Sequence, residues 1–265
     1  MIKFVGIKKG NTWDLIWILF RTEFKLKYND SFLGIIWVIL KPFLLYLILY
    51  FVLTQVFINL TIKHFAIYLF IGQMFVNLWN ETTSKGMESF LSYAHLISKI
   101  VFPRYVVLIS STLIAIVNFL INCIVLSIFI LFSEIRPSIF EIFWFLMCAI
   151  LLYFIGIIIS MFISIIYVKF RDLKQIWELF NTMIFWLTPG FYLPANLADK
   201  NGLLYYIVEH INPVSILLIG ARDGLIYQSI GKLNEIGLIF IVFSVIGILG
   251  YGYYRKNIAR IAESF

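Results

Sequence analysis

The sequence predicts an all-α membrane protein with six crossings. Three observations carry this: 62% of the 265 residues are hydrophobic and only 13% are charged, several apolar runs exceed 20 residues, and the basic residues alternate between the polar gaps. An ordinary soluble domain carries about 25% charged residues, and a chain this apolar cannot cover a soluble surface. An apolar helix needs about 20 residues to cross roughly 30 Å of hydrocarbon.

Residues 13–28 place Trp13, Trp17, Phe20, Phe24 and Tyr28 at helical spacing, with Arg21 and Lys25 on the opposite side. That pattern fits a helix lying along the membrane interface within an N-terminal segment, 1–31; a helix packed on other protein is the alternative. No short apolar segment there ends in a small-residue cleavage site, so the first long helix is expected to be retained.

Asn29, Asp30 and Ser31 break the pattern, and a first crossing begins near Phe32. It carries Lys41 and Pro42 inside an otherwise charge-free run. Proline forfeits a backbone hydrogen bond and can kink a helix, while an intramembrane lysine snorkels or faces a protein or aqueous interior.

A second crossing runs from Phe65 to about Thr83. Residues 84–104 are too polar to cross and read as a compact cytoplasmic segment bounded by Pro103, with Glu88, His95 and Lys99 available to a partner. Tyr105 to Phe132 and Ile139 to about Val168 form the next two crossings. Arg171 and Asp172 occupy the short return after them, where a partner can contact them and where Asp172 can equally cap the next helix. The fifth crossing, Ile176 to Tyr192, is the weakest, because it contains Glu178, Asn181 and Pro189.

Residues 193–235 mix turns with apolar pieces too short to span, and read as interfacial or re-entrant helices. Ile236 to about Tyr254 makes the last crossing, closing a membrane domain of 32–254, and a basic tail, 255–265, follows. No polar region is long enough for a second folded domain. Under this arrangement fifteen Lys and Arg lie on the side of the termini and five on the other, with Lys41 between. The positive-inside bias therefore places both termini in the cytoplasm and favours keeping the fifth crossing.

Several chemistries have no matching residues. The nearest approach to a phosphate loop, GLIYQSIGKL at 224–233, has the wrong spacing and Leu233 in place of a magnesium-binding hydroxyl. His64, His95 and His210 are far apart, and Cys123 and Cys148 sit in apolar runs, so no metal site or disulfide is expected. The net charge of +7 is a membrane-face charge and not a nucleic-acid signal.

Aromatic residues can offer flat apolar faces with polar edges to a sugar. Trp37, Phe43, Tyr46, Tyr50 and Phe75 on the first two crossings, with Trp79, Phe185, Trp186 and Tyr192, are candidates to line a glycan route. With 27 Phe and 15 Tyr in the chain, most aromatics must instead face lipid or other helices.

The stretch RTEFKLKYNDSFLGIIWVILKP at 21–42 resembles the membrane permeases of the ABC-2 class, specifically exporters of lipopolysaccharide O-antigen or wall teichoic acid. LISKIVFPR at 96–104, KFRDLKQI at 169–176, Thr188–Pro189, Asn212–Pro213 and YYRKNIARIAE near the end continue the resemblance in order over nearly the whole chain. It implies a homodimer in the bacterial inner membrane with two separate nucleotide-binding subunits. ATP and Mg would be bound by those partners, with no cofactor in this chain.

The resemblance further implies that the first surface helix and segment 84–104 couple ATPase motion to the membrane, with Arg21, Lys25, Tyr28, Ser31 and Gly34 at or near the bend into the first crossing. The implied cargo is a glycan on a polyprenyl diphosphate, which Lys25, Lys27, Lys41, Lys99 or Arg104 can receive. Export of another lipid or amphiphile is the alternative within transport, and a membrane-bound lipid-modifying enzyme is the alternative outside it.

Overall fold

The computed structural model describes residues 12–28, 36–56, 64–99, 102–198 and 201–261, and every regular element within them is helical. The centre of the bundle is α3 (Phe65–Ser92), which packs most extensively against α5 (Tyr105–Leu131) and α6 (Ile139–Lys169). Small residues permit this closeness: a side chain built on Gly156 of α6 would stand 2.7 Å from Thr82 Cγ2 of α3, and one on Gly86 would run into Ser160. Ser160 Oγ also donates to the Thr82 carbonyl at 3.2 Å, tying the two helices where they are nearest.

α3 runs without a break through residues 84–92. The separate cytoplasmic helix expected there is thus largely an extension of the second crossing, followed by the single turn α4 (Ala94–Ile97). The sequence SKGME looks like a breaker, but Gly86 sits against α6 and lets the helix continue.

Three described helices are long and apolar enough to cross a bilayer: α5, α6 and Leu233–Asn257 within α11 (Leu233–Ile261). A fourth span is available if the bent pair Gly202–Ile211 and Pro213–Leu225, which turns by 73°, is one broken crossing and not a re-entrant loop. The other expected crossings are less clear-cut for physical reasons. α2 (Ile36–Val56) continues through Pro42 but keeps only Leu40–Val52 as a short apolar stretch. α3 carries a polar face, and α7 (Leu173–Leu187) has 15 residues, about 22 Å at 1.5 Å per residue, short of the roughly 30 Å core.

α6 opens with a capping box: Ser138 Oγ accepts from the Glu141 amide at 3.4 Å and Glu141 Oε2 accepts from the Ser138 amide at 2.6 Å. This gives Glu141 its place at the end of an apolar helix.

α1 (Thr12–Tyr28) lies against α5. Its buried face is Ile16, Leu19 and Phe20, while Trp13 and Trp17 are exposed. The five aromatics expected on one face are therefore divided by protein packing. Ile16 and Leu19 join Phe90, Ile97, Val106, Ile165 and Tyr254 in a cluster that gathers α3, α4, α5, α6 and α11 at one end of the bundle.

The opposite end is fastened by Arg222 of α10 (Pro213–Leu225). It is 1% exposed. Its guanidinium donates to the carbonyls of Tyr68, Pro189 and Gly190 and lies 3.4 Å above the Tyr68 ring. Nearby, Asn212 caps α10 by accepting from the Val214 amide at 3.0 Å and donates to Thr188 Oγ1 at 3.3 Å. The Thr188–Pro189 and Asn212–Pro213 motifs thus form one junction. Between them and α11, α8 (Ala195–Ala198), α9 (Gly202–Tyr206) and a π-helical turn (Ile207–Ile211) lead into α10, and Lys232 pairs with Glu209 at 2.7 Å.

Replacing Arg222 by Met leaves three inward carbonyls without their donor, and thermal unfolding of the solubilised protein should show a loss of about 3–5 kcal/mol. Arg222→Lys should recover only part, since a point charge cannot fork between these carbonyls. Gly156→Val should cost about 1–3 kcal/mol by overpacking α3 against α6. Gly237→Ala, which meets nothing within 4 Å, serves as the neutral control.

Candidate functional site: a polar cavity between α2, α3 and α5

In a helix facing lipid, polar side chains are excluded unless protein or water surrounds them. α3 and α5 nevertheless carry Asn77, Asn80, Glu81, Asn118 and Asn122 well inside their lengths. Asn118 is the fourteenth of the 27 residues of α5, about 20 Å from either end at 1.5 Å per residue. These side chains converge on a cavity of about 480 Å³, within the range of ligand sites.

The floor and back wall come from α3 and α5, where Asn118 Nδ2 donates to Glu81 Oε2 at 2.6 Å and Asn122 Nδ2 donates to the Asn118 carbonyl at 2.9 Å. α2 supplies the front wall with Trp37, Lys41, Pro42 and Leu45. Trp37 is 40% exposed and Lys41 is exposed as well. Pro42 removes one backbone donor from this wall, and Lys41 sets a cation beside it. Phe119, Leu78 and Met74 complete the apolar part.

Of the residues singled out from sequence, the cavity brings together Trp37, Lys41 and Pro42. The asparagines were not singled out, although a signal was present: Asn77 with Asn80 and Glu81, and Asn118 with Asn122, repeat at three or four residues and so share a helix face.

The other aromatic candidates are dispersed. Tyr46, Phe75 and Trp79 are buried in the protomer core. Tyr46 meets Phe70 edge-on at 5.2 Å, and Trp79 Nε1 donates to Asn181 Oδ1 at 3.1 Å. Phe43 stacks on Phe129 at 6.3 Å. Tyr50 and Trp186 remain exposed, Phe185 is half-buried against Phe191, and Tyr192 donates to the Trp186 carbonyl at 3.1 Å.

The residues proposed for coupling gather at the end of the bundle held by the α1 cluster. Arg21, Lys25, His95, Lys99, Arg171 and Asp172 are all exposed there, and Arg104 is half-buried. Asp172 occupies the N-cap position of α7 but makes no capping hydrogen bond. Glu88 of α3 pairs with Lys174 of α7 at 2.8 Å, and that hydrogen bond raises the lysine above its ordinary pKa. Tyr93 donates to Glu23 of α1 at 3.1 Å, joining α1 to the turn after α3. Ser31 and Gly34 lie outside the described residues, as do the side chains of Lys27 and Tyr28.

A family model described as ABC-2 type transporter matches residues 14–226 of the chain. Two proteins of Klebsiella pneumoniae named O-antigen export system permease protein RfbA are each 25% identical to it, over 96% of this chain and 96% of the relative. A protein of the same name from Myxococcus xanthus is 26% identical over 76% of this chain and 75% of its own length.

Asn122→Leu removes a buried acceptor that has no partner and should change thermal stability by no more than about 1 kcal/mol. A fall of several kcal/mol in a melting experiment would mean that Asn122 is part of the scaffold and not of a ligand-facing wall.

Proposed function

Because this chain belongs to the ABC-2 type transporter family, we propose that it is the transmembrane subunit of an ATP-driven exporter that moves polyprenyl-diphosphate-linked polysaccharide across the bacterial cytoplasmic membrane. The observation that carries this reading is the match, over 96% of both chains, to permeases named for O-antigen export. The cavity supports it chemically: amides in the middle of an apolar bundle suit a cargo rich in hydroxyls.

Two copies of the chain would sit beside each other above two nucleotide-binding subunits, which bring ATP and Mg. The exposed groups Arg21, His95, Arg171 and Asp172 would face those subunits in the cytoplasm. Both termini would lie on that side, following the distribution of basic residues. A push there is carried by a continuous helix, since α3 runs from the Glu88–Lys174 pair to the carbonyl clamped by Arg222 at the far end. Lys25 and Lys99, exposed at the same end, and Arg104 would receive the lipid diphosphate. Trp37, Tyr50 and Trp186, which stay exposed in the protomer, would be the aromatics available to a passing glycan.

Affinity purification from the native cell followed by mass spectrometry of the intact assembly tests this directly. Two copies with two ATPases and a bound polyprenyl-diphosphate glycan are expected. The same assembly carrying a different lipid would redirect the cargo, and a monomer without any ATPase would sink the transporter reading. Arg171→Glu should reduce glycan export about tenfold, the worth of one charge-paired interface contact, with normal membrane levels of the protein. Unchanged export would remove Arg171 from the contact.

A further inference from the structure

The connection from α10 to α11, residues 226–232, holds two backbone conformations that L residues rarely adopt. Gln228 has a φ of 53° and Lys232 a φ of 61°, in the left-handed region where Cβ crowds the following carbonyl oxygen. Neither has the short polar side chain that eases this region for Asn and Asp. Such residues persist only where their surroundings over-determine them.

Each is held by its own side chain, and each to a different element. Gln228 Nε2 donates to the Arg136 carbonyl at 2.9 Å, in the turn between α5 and α6. Lys232 Nζ stands 2.7 Å from Glu209 Oε1 in the π-helical turn and 3.6 Å from Glu235 Oε1 in the first turn of α11. The side chains of Lys232 and Glu209 are only 14% and 15% exposed, so little water can replace either partner. Between the two strained residues, the Ser229 amide donates to the Asp223 carbonyl at 3.0 Å. Lys232 directly precedes α11, and its carbonyl accepts from the Ile236 amide at 2.9 Å. One ion pair therefore joins the two segments that flank α10, and it closes on a π-helical turn, a form that is itself rare. α10 is fixed by Arg222 independently of this pair, so loss of the pair frees the flanking segments and leaves the helix in place.

We propose that residues 226–232 form a spring-loaded strap over this end of the bundle, with the Lys232–Glu209 pair as its latch. In the latched state the pair holds Lys232 in its left-handed backbone. When the pair opens, Lys232 turns to an ordinary negative φ, and the relief of strain offsets part of the cost of separating the charges. Because Lys232 leads into α11, that turn re-aims the strap and parts it from the π-helical turn, while the Gln228 bond to Arg136 keeps its other end anchored. An ion pair between relaxed segments would only tie them together; the strained residue favours the released state as well, which makes two states.

The test places spin labels at Leu203→Cys on α9 and Ile230→Cys on the strap, both exposed positions, in a background of Cys123→Ala and Cys148→Ala. Double electron–electron resonance on the full chain in lipid nanodiscs then reads their separation. The latched strap should give one distance. Lys232→Met keeps the strained position without the latch and should raise the ratio of longer-distance to latched molecules at least about tenfold. Glu209→Gln should do the same, and the two together should add little, since each breaks the same pair. Lys232→Gly also loses the pair, but glycine takes a positive φ without strain, so its ratio should be about fivefold lower than that of Lys232→Met. Where Lys232→Met does not assemble, Glu209→Gln supplies the same comparison with Lys232→Gly. A single distance in every variant overturns the proposal. Equal release by the strained variants and by Lys232→Gly overturns it too, because the pair is then a tie without a spring. The distances are read without glycan, so failure of the strap leaves the exporter reading to its own test.

Discussion

The bundle is organised by the need to keep α3 out of lipid. This helix carries Gln73, Asn77, Asn80 and Glu81 within its middle turns, and in hydrocarbon these would be polar groups without partners. α5 and α6 cover two of its sides, with Gly156 and Gly86 allowing close approach. α7 covers another through Trp79–Asn181, Asn181–Ser84 and Trp177–Thr83 hydrogen bonds of 3.1–3.2 Å. The uncovered part of the polar face is the part that opens into the cavity. The same composition that makes α3 a poor membrane span therefore creates the place where a polar cargo can be met.

The two ends of α3 are held by different physics. At one end apolar packing against α1, α4 and α11 leaves a surface of exposed charged groups, and such a surface can engage another protein without disturbing the core. At the other end a buried cation joins three carbonyls across α3, the Thr188–Gly190 turn and α10. Breaking one partner of such a network is expensive, whereas moving all partners together costs little. Motion at this end is accordingly expected as a joint displacement of α10 and the turn with α3.

α5, α6 and α11 were legible in the sequence because each is an uninterrupted apolar run, and length alone identifies such helices. The continuation of α3 through Lys85 and Gly86 was not legible, since its reason is the contact with Ser160 on a helix some 75 residues later. Composition could propose aromatics for a conduit but could not say that Tyr46, Phe75 and Trp79 turn inward. The resemblance supplied Thr188–Pro189 and Asn212–Pro213 as separate signs; only the fold shows that Asn212 binds Thr188. Of the cavity, Lys41 and Trp37 could be read as unusual within an apolar run. The asparagines became visible as a group once α3 and α5 were placed side by side.

α2 differs from the helices it leans on in a way that bears on how a cargo reaches the cavity. It contributes Lys41 and Pro42, is largely exposed along Leu44, Leu45, Ile48 and Phe51, and touches α3 much less extensively than α5 and α6 do. A helix with a missing backbone hydrogen bond and few partners can tilt at low energetic cost, whereas α3 and α5 cannot move apart without exposing amides to lipid. Opening of the cavity therefore falls to the α2 wall. The wall better able to tilt bears Trp37 and Lys41, and the wall held in place bears the asparagines.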